Sequence, residues 1–147
     1  MRTLRVLFVV LSLSLSLLAG DNPFSGTWKF NPAKGHPDPP LAKSNVAVVD
    51  ADETNFSLVQ KGIDDKDMPF EYSYKAKLDG KDYPISGDPD ADSVSLKRAG
   101  QREMKITLKK DQKITLTLNV VVSDDGQTTT VRNADDLKKA SDVYDKQ

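Results

Sequence analysis

The chain has 147 residues, with 21 basic side chains against 22 acidic ones, one histidine and no cysteine. Both signs of charge are interspersed throughout, which argues against nucleic acid or an anionic membrane surface as a partner. The missing cysteines exclude a disulfide framework, and a single histidine leaves too few ligands for a zinc site.

The first element is an apolar run from Val6 to Ala19 behind Arg2 and Arg5. It falls short of the ~20 residues that a membrane-spanning helix needs and has the layout of a secretory signal. Export to the periplasm or the medium is expected, with residues 1–20 removed and a mature chain starting near Asp21. No cysteine follows for lipid attachment, so the mature chain is expected to be free of the membrane. The signal carries two arginines and no acid, so its loss makes the net charge of −1 more negative. Residues 21–147 have the length of one domain with one core.

From Gly26 onward, short segments alternate apolar and polar side chains, the period of half-buried strands. About ten strands are predicted, near 26–30, 44–50, 54–60, 69–78, 82–86, 92–98, 103–109, 113–122, 127–133 and 140–146, with boundaries good to ~2–4 residues. Asn31 to Lys43, with Pro32, Pro37, Pro39 and Pro40, is read as an irregular loop because proline removes backbone donors. It either covers one barrel end or simply runs over the surface. Phe70, Tyr72, Tyr74, Ala76 and Leu78 share one face of their strand. Further inward sets are Phe56 with Leu58, Val94 with Leu96, Met104 with Ile106 and Leu108, and Ile114 through Val122 at even positions. Asp79-Gly80 and Asp125-Gly126 signal hairpins, Gly62 to Asp67, Gly87 to Asp90 and Ala99-Gly100 mark further connections, and Lys110 to Lys113 is a turn. Short loops between successive strands predict an all-β, antiparallel up-and-down β-barrel of about 8–10 strands, closed to remove its edges.

Gly26-Thr27-Trp28 matches the G-x-W signature of the lipocalin and calycin group, whose first-strand tryptophan packs across the closed barrel end. Gly26-Thr27-Trp28-Lys29-Phe30-Asn31-Pro32-Ala33-Lys34, with Asp79-Gly80-Lys81-Asp82-Tyr83-Pro84, resembles a group of uncharacterised exported bacterial lipocalin-like proteins over most of the mature chain. That resemblance implies the barrel and carries no activity over. A lipocalin stacks a late arginine on its motif tryptophan, and Arg132 is the only arginine late enough here. The last strand, through Val143-Tyr144-Asp145-Lys146, looks like that of fatty-acid-binding proteins. Where those proteins hold a ligand carboxylate with Arg-x-Tyr, this chain has Asp142-Val143-Tyr144, an acid in place of the base. Any ligand is therefore expected to be neutral or basic.

Catalytic residues are not expected. His36 lies in the proline-rich loop, where a lone histidine is more often solvated than a positioned base. Asp88, Asp90 and Asp92 alternate like the first half of a calcium loop, but Ser93 replaces the required glycine and Ala99 the bidentate glutamate. They read as a solvated turn. Asp64-Asp65 and Asp135-Asp136 read as surface charge. Neither a metal nor a cofactor is expected. Tyr72, Tyr74 and Tyr144, with Arg132, are the candidate ligand contacts, since a phenol can orient a small molecule without carrying charge. Two functions follow: a carrier or sensor of a small hydrophobic molecule in a hollow barrel, or a protein interaction or inhibitor module with a filled core.

Overall fold

The alternation that runs through the chain is realised as a single continuous meander. The computed structural model describes residues 21–35, 42–135 and 141–147. The proposed signal 1–20, the loop positions 36–41 that include His36, and residues 136–140 that include Asp136 lie outside the described residues.

Ten strands follow in order: β1 (Gly26–Phe30), β2 (Ala42–Ala51), β3 (Asn55–Asp64), β4 (Pro69–Lys77), β5 (Asp79–Ser86), β6 (Ser93–Arg98), β7 (Glu103–Lys110), β8 (Lys113–Val122), β9 (Thr128–Asn133) and β10 (Ser141–Lys146). Each pairs antiparallel with its neighbours in sequence, and β1 closes against β10. The fold is the all-β, up-and-down barrel that the alternation implies, with no free sheet edge. The seam between β4 and β5 is the thinnest, with register pairs only at Ser73–Ser86 and Tyr74–Ile85.

Because strand direction alternates, connections gather at two ends. Asp52–Thr54, Ala99–Arg102 and Ser123–Gln127 join Asn22–Ser25 at one end, and Asp65–Met68, Gly87–Asp92 and Asp111–Gln112 lie at the other. The first end is filled. Phe24, Trp28, Phe56, Leu96, Met104 and Val122 are buried there, with Phe24 edge-on to Phe56 and Phe56 stacked on Tyr74.

Two local readings need correction. β3 continues through Gly62 and Ile63, which pair with Phe70 and Pro69. The turn is instead Asp64 to Met68, where the Asp64 carboxylate accepts the N–H groups of Lys66 and Met68. Parity alone turns Ile114 inward, yet it is 63% exposed. The cause is a register shift: Leu108 pairs with Leu116 but Lys109 with Ile114, leaving Thr115 as an extra residue. One extra residue inverts the parity beyond it, so Ile114 turns outward.

Candidate ligand cavity

At the filled end, Trp28 is buried and its indole N–H donates to the Phe24 carbonyl at 2.9 Å. Trp28 stands opposite Lys146 in the β1–β10 register, and the Lys146 ammonium lies 5.4 Å from the indole centroid. The lysine stem crosses Gly26, where a Cβ would come within 2.7 Å of Lys146 Cε. Gly26 also has a φ of +137°, which disfavours any other residue. The cation on the motif tryptophan is thus Lys146, not an arginine. Arg98 makes the analogous contact on Phe24, 5.7 Å from the ring centroid.

Above this plug the barrel is hollow. A cavity of about 750 Å³ reaches from Trp28 and Phe24 to the loops of the other end. The strands thus enclose more volume than their medium-sized inner side chains occupy, as expected when barrel diameter grows with strand number.

The cavity has two unlike walls. On β7 and β8 it is lined by Met104, Ile106, Leu108, Leu116, Leu118 and Val120, with Thr115, whose hydroxyl donates to the Leu108 carbonyl, as the one polar side chain. On β2, β3, β4, β9 and β10 the lining includes Asn45, Gln60, Tyr72, Thr129, Asp142 and Tyr144. Strand register brings these polar groups together: Gln60 faces Tyr72 across β3–β4 and Thr129 faces Tyr144 across β9–β10.

Asn45 bridges the remaining gap, its amide N–H donating to the Tyr144 hydroxyl at 3.0 Å. Both residues are buried, as is Thr129. The Asn45 side-chain oxygen and the Thr129 hydroxyl have no hydrogen-bond partner among the described residues. Orphaned buried polar atoms are uncommon and call for an explanation.

Burial raises the pKa values of all three tyrosines on this wall, so they stay neutral at physiological pH. The charges of Asp88 and Asp142 add to the rise at Tyr72. At Tyr144, Asp142 and Tyr72 add to it, and a hydrogen bond with Gln60 opposes it. Asp142 is itself partly buried, and desolvation holds its carboxyl above the ordinary carboxylate value.

Tyr72, Tyr74 and Tyr144 all line the cavity. Arg132 does not. It is exposed and lies one residue out of phase with Val131 and Asn133, which line the cavity on β9. The same pleat that turns Val131 inward sends Arg132 to solvent.

The Asp88 carboxylate accepts the Asp90 N–H, and that of Asp92 accepts the Asp111 N–H. These aspartates thus serve in turn geometry. Asn45, Gln60 and Thr129 are lining residues that sequence reasoning missed, as it missed Lys146 on Trp28 at the filled end. Lys146 was findable, since it shares the inward parity of Tyr144 at the end of the last strand. Asn45 and Gln60 are single polar residues within largely apolar inward sets, and only register shows that they meet.

In comparison with known proteins, no family model, no curated protein and no solved structure gives a match. The closed ten-strand antiparallel barrel is consistent with a calycin-like fold.

Proposed function

We propose that the protein is an exported binding protein, not an enzyme, that holds a small, largely apolar molecule inside its barrel. The observation that supports this most is the cavity of about 750 Å³ with one mainly aliphatic wall. That volume falls in the ~300–1,000 Å³ range of sites that enclose small molecules, which pair an apolar lining with a few placed polar groups. Apolar surface left to water inside a barrel is unfavourable, and a ligand that covers it recovers about 25 cal/mol per Å².

The test is a fluorescence titration with the neutral apolar probe N-phenyl-1-naphthylamine, comparing the wild type with Leu118→Trp, which fills the aliphatic wall. Saturable enhancement that the substitution abolishes, with the folded spectrum retained, supports the reading. Equal binding by both proteins would place the probe elsewhere and overturn it. Export rests on the segment before Asp21, and an exported form whose intact mass still includes residues 1–20 would contradict that part.

A protein-partner reading has one observation in its favour. Val48, 49% exposed, faces Val59, 38% exposed, on the outer surface of β2 and β3. This pair is small beside the hundreds of Å² typical of an exposed apolar interaction patch.

A further inference from the structure

The cavity lining divides its ionisable groups unevenly. Asp64, Asp88, Asp90 and Asp142 line it along with the three tyrosines, and among the described residues no Lys, Arg or His does. Elsewhere on the barrel carboxylates are matched with lysines: Lys34 pairs with Asp145, Lys43 with Asp67, Lys61 with Glu71 and Lys109 with Asp82. Asp88 and Asp142 form no such pair among the described residues. The chain therefore has ample lysine, yet the described lining includes none.

Acidic residues alone would not define a site, since a charge at a barrel mouth can be solvated. Three further features point inward. Thr129 is 8% exposed, lines the cavity and has a partnerless hydroxyl. It faces Tyr144 in register, and two residues before Tyr144 on the same face of β10 is Asp142. Phe70 and Tyr72, both in the lining, stack with centroids 6.2 Å apart, Tyr72 feels the charges of Asp88 and Asp142, and aromatic faces attract organic cations. The opposite wall is mainly aliphatic from Met104 to Leu118. A molecule that satisfies both walls needs an apolar body and a positively charged, hydrogen-bond-donating head.

Building on the binding reading above, we propose that the cavity is selective for hydrophobic amines, with the protonated nitrogen held near Asp142, Asp88 and the Tyr72 ring and the apolar body against β7 and β8. A carboxylate head meets repulsion at the same place. A neutral head binds through the apolar wall alone and lacks the ionic contact.

The experiment is displacement of N-phenyl-1-naphthylamine from the full mature protein by dodecylamine, 1-dodecanol and dodecanoate at neutral pH. The amine is expected to bind about tenfold more tightly than the alcohol, the size of one charge-assisted hydrogen bond in a partly buried site. Dodecanoate should be the weakest. In Asp142→Asn the ratio of amine to alcohol affinity should drop severalfold, whereas Asp145→Asn, on the outer face, should leave that ratio unchanged. Added salt should lower the ratio in the wild type, which tests the charge contact without any substitution.

An alcohol that binds as well as the amine, or a fatty acid that binds best, overturns the amine proposal while leaving the cavity reading intact. Probe binding that none of the three displaces, or no probe binding at all, overturns the cavity reading itself.

Discussion

Trp28 and Lys146 face each other across the β1–β10 seam, with the ammonium 5.4 Å from the indole centroid. The seam joins the first strand to the last, so this contact fastens the barrel where closure requires the most distant parts of the chain to meet. Closing so long a loop is entropically costly and must be offset by contacts formed only when the barrel is complete. Trp28→Ala should destabilise the protein by about 3–5 kcal/mol. Lys146→Met retains most of the stem packing and loses only the charge, so it should cost about 0.5–1 kcal/mol. Denaturant unfolding measures both, and a Trp28→Ala protein as stable as wild type would contradict the role given to this end.

The β7–β8 hairpin turns through Asp111 and Gln112, with φ values of 49° and 66°. Both are left-handed, the geometry of a two-residue turn that favours Asn-Gly. Gln112→Gly should therefore stabilise the protein by about 0.5–1 kcal/mol, the relief of left-handed strain less the added flexibility of the unfolded chain. The midpoint of chemical unfolding should rise with its slope unchanged. A fall would mean that the Gln112 side chain makes contacts that outweigh the strain.

How much could be read beforehand depended on whether information was local. Alternation and turn residues are local, and they delivered ten strands in their order. Ile114 failed because a single extra residue, Thr115, reversed the parity, and no sequence signal marks that bulge. Arg132 was selected by comparison with lipocalins, although its parity on β9 already turns it outward beside Val131. The aligned Asn45, Tyr144 and Thr129 depend on pairing between strands far apart in sequence, which alternation does not specify. The hollow interior depends on strand number and side-chain volume together, so Phe56, Leu58 and Leu118 looked equally suited to a filled core.

Asp142 gives a pH signature. Desolvation raises its pKa in the folded protein above the ordinary 3.8, so the folded state binds this proton more tightly than the unfolded state. Its contribution to stability is therefore greatest below about pH 4 and declines as pH rises through the raised value. Tyr72 and Tyr144 remain neutral in this range. Asp52, Asp79, Asp125 and Asp145 have lowered pKa values from hydrogen bonds and contribute with the opposite sign. The quantity to measure is thus the difference between wild type and Asp142→Asn across pH. The variant should gain on the wild type as pH rises from 3 to 7, and a difference that is flat or shrinks with pH would contradict the burial of this carboxylate.

We propose the inside of the barrel as the binding surface. Methyl NMR during titration with N-phenyl-1-naphthylamine tests it most directly, because interior and exterior methyl groups are reported in one experiment. The methyl resonances of Ile106, Leu108, Leu116 and Leu118 should shift together to saturation while those of Val48 and Val59 stay in place. Shifts confined to Val48 and Val59, with the interior methyls unmoved, would contradict it and make the outer face the functional one.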